Sequence, residues 1–232
     1  MKQLAMIWVI SYFLSSGFSS DEVQQTASVS PGPYVNPYTK VREGQSLIKE
    51  GDLVVRLNRA ATSCFIRLFN KQDKSYSHSG IVIYNSGYPY AYHIIDGQEN
   101  PDGRIRRDSL SEFCSPRRNK SYGIFRYDMN NEEIKKLRVQ IHEWYIKGIS
   151  YDPEFNLKSD DRMYCSEMIS KALGTTTESR IKIGLTHLTN QDAIIFSFYT
   201  HLSFSYASNL SVISIDNSYV NPFCHTIKQY AY

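Results

Sequence analysis

The stretch "SYSHSGIVIYNSGYPYAYHIID", Ser75–Asp96, decides the fold of this chain. It contains two apolar and aromatic runs, His78–Tyr84 and Tyr90–Ile95, and the residues "NSGYP" between them are typical of a β-hairpin connection. An imidazole stands at the start of the first run, where a buried strand has little use for one, and Gly80 follows two residues later. Since side chains alternate along a strand, the histidine and the glycine share a face.

The hairpin pattern also predicts where a second histidine lies. If Tyr84 pairs with Pro89, His93 lies directly opposite Gly80. Opposed residues share a face of the sheet, so His78 and His93 become diagonal neighbours. The missing side chain of Gly80 leaves room between them, and we expect both imidazoles to face a common space.

Outside this hairpin the sequence alternates between strand-like and helix-like segments. The clearest helix is Asn131–Lys147, whose apolar residues recur at helical spacing after the acidic start "NNEE". We therefore predict a strand-rich α+β fold. The other predicted strands are Gly51–Leu57, 103–107, Tyr122–Tyr127 and 209–216, and the other predicted helices are Ala60–Lys71, Arg162–Leu173 (closed by Gly174) and Gln191–His201.

Composition excludes some classes of protein. The chain has 232 residues, of which 41% are hydrophobic and 21% charged, as in an ordinary globular protein. Its net charge of +3 is small, and no basic block is interleaved with aromatic residues. We therefore predict no nucleic-acid partner.

The N-terminus has the anatomy of a secretory signal peptide, which we predict over residues 1–20. In "MKQLAMIWVISYFLSSGFSS" one lysine precedes the apolar run Leu4–Leu14, and small polar residues follow it. The run is too short to span a bilayer comfortably, so we predict no transmembrane anchor. No cysteine follows that would carry a lipoprotein anchor. We expect an exported protein of the periplasm, the cell envelope or the extracellular space.

A polar leader follows the predicted signal peptide. Residues 21–40 contain Pro31, Pro33 and Pro37, a composition that favours extended chain. We therefore predict that a single domain occupies residues 41–232.

A cysteine stands near the start of a predicted helix in "KSDDRMYCSEMISKAL", Lys158–Leu173. Ser159, Asp160 and Asp161 are natural helix caps, and this places Cys165 in the first helical turn. The helix dipole and the unpaired N–H groups there favour a thiolate and could stabilise an oxyanion. The alternative is that Cys165 is a small buried hydrophobic residue.

The four cysteines, Cys64, Cys114, Cys165 and Cys224, form no metal-binding pattern. None lies in a Cys-x-x-Cys pair or at zinc-finger spacing to a histidine, so we predict neither a metal nor another cofactor. Four cysteines in so long a chain also do not make a disulfide scaffold. If Cys165 stays free, at least one of the other three is unpaired within the chain.

Three segments together resemble the permuted papain-like hydrolases, the YiiX/YaeF-like relatives of NlpC-type cell-wall amidases. They are "GDLVVR" at Gly51–Arg56, "SHSGIVI" at Ser77–Ile83, and Tyr151–Leu173 with "YCSEMISKAL". The resemblance implies an α+β, papain-like and NlpC-like core, an antiparallel sheet packed on helices. It also implies a circular permutation, because the histidine strands precede the cysteine helix.

The same resemblance implies roles for three residues. Cys165 is the nucleophile, His78 the general base, and His93 stands where the family places its third, polar member. That member is often a glutamate in the permuted proteins, while a histidine is usual in the unpermuted NlpC relatives. Asp96 is therefore a rival for the third position, although strand alternation puts it on the opposite face from His93.

Two further motif residues, Tyr164 and Glu167, are candidates for substrate binding. The alternative is that Tyr164 is a core tyrosine and that Glu167 is solvated or salt-bridged.

The resulting prediction is an exported cysteine hydrolase that cleaves an amide bond through an acyl-enzyme. Peptides and peptidoglycan fragments are the expected substrates. A lipid acyl hydrolase or acyltransferase is the first alternative, because LRAT-like enzymes share the histidine-before-cysteine order. The second alternative is a non-catalytic envelope protein that keeps the fold for binding, with Cys165 in a structural role.

Overall fold

A mixed arrangement of helices and an antiparallel sheet is seen in the computed structural model, which describes residues 36–98 and 100–232. Within these residues the large sheet has six strands in the order β10-β5-β1-β2-β3-β4, with each neighbouring pair antiparallel. The large-sheet strands are β1 (Leu53–Asn58), β2 (His78–Asn85), β3 (Tyr88–His93), β4 (Arg106–Ser109), β5 (Asn119–Tyr127) and β10 (Cys224–Ala231), and the short strands are β6 (Ser150–Tyr151), β7 (Arg162–Met163), β8 (Thr186–His187) and β9 (Ser211–Val212).

Helices cover both faces of the large sheet. On one face α4 and α5 pack against β-strand residues such as Leu53, Ile81 and Tyr92. On the other face α1 and α3 pack against their sequence neighbours, such as Val54 and Val82. Since both faces are buried, the middle residues of the central strands, such as Leu53–Val55 and Ile81–Ile83, are apolar. The helices are α1 (Tyr38–Leu47), α2 (Ala61–Leu68), α3 (Leu110–Phe113), α4 (Asn131–Lys147), α5 (Cys165–Thr176), α6 (Asn190–Thr200), α7 (Phe204–Ala207) and α8 (Ile215–Tyr219).

The β2–β3 hairpin has the predicted register, with Tyr84 paired to Pro89. Its two turn residues, Ser86 and Gly87, have φ values of 51° and 81°, which fits the twist of a tight two-residue hairpin. A Cβ atom at Gly80 would lie 3.3 Å from Cβ of His93 and 3.1 Å from a backbone oxygen. A side chain at this position would therefore be tightly packed against His93 and would push on it.

The helix that carries Cys165 begins later than predicted. Met163 is fully buried and forms β7 with Arg162, pairing in parallel with β6. This extended segment prevents the helix from starting at Arg162, so α5 begins at Cys165 itself. Its N-terminus is capped by Glu167, whose side chain accepts the N–H of Tyr164 at 3.2 Å. The predicted caps Ser159–Asp161 were wrong, and α5 also continues past Gly174 to Thr176.

The leader and two strands also differ from prediction. Residues 21–40 were expected to be extended, yet α1 begins at Tyr38, because Pro37 has a helical φ of −62° and the side chain of Asn36 accepts the N–H of Tyr38 at 3.0 Å. The strand predicted at 103–107 lies at Arg106–Ser109. The strand predicted at 209–216 is short, because Ile215 starts α8.

The predicted signal peptide lies outside the described residues. Within residues 36–98 and 100–232 no helix is both long and apolar enough to cross a membrane.

Candidate active site

The thiol of Cys165 lies at the first residue of α5, beside Ser79 of β2. Ser79 is fully buried, and both its backbone N–H and its hydroxyl act on the sulfur. Burial raises the pKa of Cys165 above its ordinary value, although the N–H groups of Ser79, Ser166 and Cys165 and the Ser79 hydroxyl act to lower it. The N–H groups at the helix start therefore act in the predicted direction, but burial outweighs them and favours the thiol form of Cys165.

The structure brings the two hairpin histidines into direct contact. Nε2 of His78 and Nδ1 of His93 are 2.9 Å apart, and the ring centroids are separated by 5.0 Å. Both rings are buried and pack against Phe113, with centroid distances of 5.7 and 5.1 Å. The imidazoles lie on the α3 face of the sheet, whereas Cys165 approaches from the α5 face.

A third polar residue, which the sequence analysis missed, completes this chain of hydrogen bonds. Nε2 of His93 lies 3.1 Å from Oδ2 of Asp108, a buried residue of β4. Asp108 is opposite Ala91 in the register, one diagonal step from His93, which pairs with Arg106. The predicted strand ended at residue 107 and so left Asp108 out, and the register of this strand against β3 was not predicted.

Asp96, the rival for the third position, is not part of the hydrogen-bonded series His78–His93–Asp108. It is exposed, and its Oδ1 accepts the N–H of Gly97 at 2.7 Å. The structure therefore places His93, and not Asp96, against His78.

A cavity of about 660 Å³ joins the two halves of the site at the rim of the sheet, because both His78 and Cys165 line it. Most of its wall is apolar, and Arg56 and Asp96 add charged groups. Among the apolar lining residues are Ile66, Phe69, Phe155, Phe196, Val212 and Ile213.

Tyr164 and Glu167 have structural contacts. The hydroxyl of Tyr164 accepts the N–H of Ile213 at 2.7 Å, and its ring borders the cavity. Glu167 is fully buried and lies 3.0 Å from Nζ of Lys171. Burial raises the pKa of Glu167 to about 7 even though Lys171 acts to lower it. Substrate binding by either residue stays a prediction.

Most of the chain matches the model of one known protein family. The family described as "Permuted papain-like amidase enzyme, YaeF/YiiX, C92 family" matches residues 47–213, well over half of the chain. The chain belongs to this family. The resemblance seen in the sequence motifs is thus confirmed, as is the assignment to papain-like cysteine hydrolases.

Two relatives of this chain come from Escherichia coli. YiiX of strain K12, described as an uncharacterized protein, is 27% identical over 133 residues. That match covers 56% of the present chain and 60% of YiiX, so the chain spans about three fifths of the length of this relative. The crystal structure of yiiX from O157:H7, described as a metalloprotein, has 20% sequence identity and a TM-score of 0.64. The match covers 79% of the present chain and 98% of the yiiX chain, and it shows that the two share a fold.

The surroundings of both imidazoles lower their pKa values and so favour the neutral rings. Burial, followed by the nearby charge of Arg56, holds the pKa of His78 well below its ordinary 6.5. Burial also lowers the pKa of His93 to about 4, although its hydrogen bond to Asp108 acts in the opposite direction. Burial alone would raise the pKa of Asp108, but His93 and Arg106 outweigh it and bring that pKa to about 2.

These shifts predict a stability loss in mild acid. A histidine with a lowered folded-state pKa takes up its proton first in the unfolded chain, so the free energy of unfolding falls as the pH drops below about 6.5. His93 should contribute on the order of 3 kcal/mol of this loss by pH 4, where its folded-state pKa lies. In His93→Gln we expect the free energy of unfolding, measured by urea denaturation, to depend less steeply on pH between pH 6.5 and 4.

The matched control is His142→Gln, because His142 is exposed on α4. Glu167 has a raised pKa, so its contribution to stability changes with pH in the opposite direction. This contribution is present in the parent and in both variants, and it cancels when each variant is compared with the parent. If the free energy of unfolding of His93→Gln depends on pH as steeply as that of the parent, the assignment of a neutral, buried His93 is contradicted.

Proposed function

We propose that this permuted papain-like amidase hydrolyses an amide bond with Cys165 as nucleophile, His78 as general base and His93 as the orienting partner of the base. The observation that carries the proposal is the 2.9 Å contact between His78 and His93 at a cavity that Cys165 also lines. A nucleophile, a base and a group that orients the base are the parts that cysteine-dependent acyl transfer requires.

The protonation states favour general-base activation in place of a preformed ion pair. Burial raises the pKa of Cys165 and lowers the pKa of His78, which favours the thiol and the neutral imidazole, so His78 takes the thiol proton as sulfur attacks the carbonyl carbon. The resulting imidazolium then protonates the leaving amine as the C–N bond breaks. In the second half-reaction His78 deprotonates water, which attacks the thioester and releases the acid and the thiol.

A change in the Cys165 side chain accompanies the first step. Within the described residues the sulfur makes no hydrogen bond to His78 and lies beside Ser79 instead. The proposed proton transfer requires the sulfur to come within hydrogen-bonding distance of His78 when substrate binds in the cavity that both residues line. Hydrogen bonds of this kind commonly tighten only when substrate is bound. The N–H groups of Ser79, Ser166 and Cys165, which all act on the sulfur, are the proposed donors to a tetrahedral oxyanion.

A second candidate is hydrolysis or transfer of a lipid acyl group. The apolar wall of the cavity favours it, because rings such as Phe155 and Phe196 suit an acyl chain better than a charged peptide. Amide cleavage remains the first proposal, because the family is described as amidases. A non-catalytic binding protein is the third outcome.

Product analysis separates these three functions. The protein is incubated with peptidoglycan fragments, with N-acylated peptides and with phospholipid vesicles, and products are identified by mass spectrometry. New amines and acids from the first two, absent with Cys165→Ala, support the amidase. Release of fatty acid, or its transfer, supports the lipid enzyme. No turnover together with a Cys165 that resists a thiol-directed probe near neutral pH identifies a binding protein.

The description of the O157:H7 relative as a metalloprotein does not fit the residues here. Within residues 36–98 and 100–232 no group of three or more histidine, cysteine, aspartate or glutamate side chains is placed to hold a metal ion. Both ring nitrogens of His93 are also engaged, one with His78 and the other with Asp108. No step proposed for this chain involves a metal.

We further propose that the protein is exported. Cleavage is expected between Ser15 and Ala27, after the apolar run and among small residues. N-terminal mass spectrometry of protein from the producing cell should find a mature chain that lacks Met1. Ile10→Lys, which interrupts the apolar run, is the control and should retain Met1. An intact Met1 on the parent protein would refute export by this route.

A further inference from the structure

We propose that Asp108, acting through His93, fixes the proton of His78 on Nε2 and so leaves Nδ1 of His78 as the basic atom. This inference rests on the proposed function for its catalytic meaning, although the proton positions can be tested without it. Asp108 is a positioning residue, because another side chain lies between it and the base.

The carboxylate of Asp108 is held by two partners that use different oxygens. Nε and Nη2 of Arg106 donate to Oδ1 at 2.9 and 2.6 Å, while Oδ2 faces Nε2 of His93 at 3.1 Å. The pairing with Arg106 keeps the carboxylate ionised, so that both oxygens can only accept hydrogen bonds. Nε2 of His93 must therefore carry a proton.

The proton on Nε2 determines the other nitrogen of His93. A neutral imidazole has one N–H and one bare nitrogen, so Nδ1 of His93 is an acceptor. The positive charges of Arg56 and Arg106, together with burial, keep this ring neutral. Its Nδ1 then requires a donor from Nε2 of His78, 2.9 Å away.

The last step fixes His78 itself. With its proton on Nε2, the neutral ring has a lone pair on Nδ1. Within the described residues no side chain hydrogen bonds to Nδ1, and His78 borders the cavity shared with Cys165. The opposite arrangement would set the bare Nε2 of His93 against the carboxylate of Asp108 in a buried place, which is the costly alternative. Asp108 thus selects the basic nitrogen from two residues away in the hydrogen-bond chain.

The proton positions can be measured directly by NMR of the intact protein labelled with ¹⁵N-histidine. The ¹⁵N chemical shifts distinguish a protonated ring nitrogen from a bare one, at a pH near neutrality. We expect the parent protein to show protonated Nε2 and bare Nδ1 on both His78 and His93. In Asp108→Asn the amide can accept or donate, so we expect a mixture in which part of His78 carries its proton on Nδ1.

Asp52→Asn is the matched control for a structural role. Asp52 is also a buried aspartate held by an arginine, with Nε and Nη2 of Arg126 at 2.7 and 2.8 Å. Its substitution should cost stability and leave the histidine proton positions unchanged. The proposal is overturned if His78 of the parent is protonated on Nδ1, or if Asp108→Asn keeps the parental proton positions. The parent spectrum can overturn the proposal without any variant. The proposal therefore stays testable even if Asp108→Asn fails to fold.

Kinetics give a second reading once a substrate is in hand. Asp108→Asn should lower kcat by about 10- to 100-fold with KM nearly unchanged, less than the roughly 10⁴-fold loss for an aspartate that touches the base directly. His93→Gln should recover part of the rate lost in His93→Ala, since its amide can donate to Asp108 and accept from His78. Parental kcat in Asp108→Asn would overturn the proposal. The expected proton positions with no turnover of any substrate and an unreactive Cys165 would instead refute the proposed function alone.

Discussion

Cys165→Ala is expected to reduce hydrolysis by on the order of 10⁴-fold or more, to the level that binding and oxyanion donors alone can sustain. The reason is that Cys165, among the described residues, supplies the one thiol lining the cavity that His78 also lines. The fold should survive, because exchanging a thiol for a hydrogen removes little packing at a helix start. The measurement is single-turnover and steady-state hydrolysis of the substrate found by product analysis, with thermal unfolding of the same sample.

The other cysteines provide matched controls for this prediction. All four cysteines are free in the structure, and Cys64 is exposed while Cys224 is half-buried on β10. Cys64→Ala and Cys224→Ala should leave turnover nearly unchanged. If Cys165→Ala keeps the parental rate while remaining folded, the nucleophile must be sought elsewhere.

His78→Ala is expected to be as severe as the loss of Cys165. Since the resting sulfur is a thiol, turnover depends on a base that removes its proton, and the non-additivity of such pairs predicts that the double variant is no worse than either single one. His93→Ala should be milder, because His93 orients the base without taking the thiol proton itself.

The pH dependence of kcat/KM tests the same assignment. A base works only while it is unprotonated, and the pKa of His78 lies well below 6.5. The acid limb of the profile should therefore fall below pH 6.5, so that activity persists in mildly acidic buffer. His142→Ala, at an exposed position, should reproduce the parental profile. An acid limb above pH 6.5, or a folded His78→Ala variant with substantial activity, would exclude His78 as the base.

The parts of the fold that could be predicted are those fixed by local chemistry. The β2–β3 hairpin has its turn residues and its apolar runs within one short stretch, so its register followed from the sequence. The α4 helix has both helical periodicity and a capping box formed by Asn130 and Glu133, and its limits were predicted correctly. In each case the residues that determine the element lie within the element itself or next to it in the sequence.

The parts that were missed depend on partners distant in the chain. Strand β10 alternates polar and apolar residues only loosely, and it is defined by pairing with β5 about a hundred residues earlier. Asp108 could not be assigned because its role depends on β4 register against β3. The late start of α5 depends on Met163 entering the core. The raised pKa of Cys165 likewise arises from burial by the whole fold, which outweighs the helix start.

The circular permutation has a consequence for the order in which the chain folds. His78, His93 and Asp108 all lie in the consecutive β2–β3–β4 meander, whereas Cys165 is contributed by a helix much later in the sequence. Contacts between neighbours in sequence form faster than distant ones, because less loop-closure entropy is lost. We expect the hydrogen-bonded base to assemble early and the nucleophile to dock late. A nascent or partly folded chain would then carry a poised base without its thiol, and the chemistry would begin only when α5 is in place.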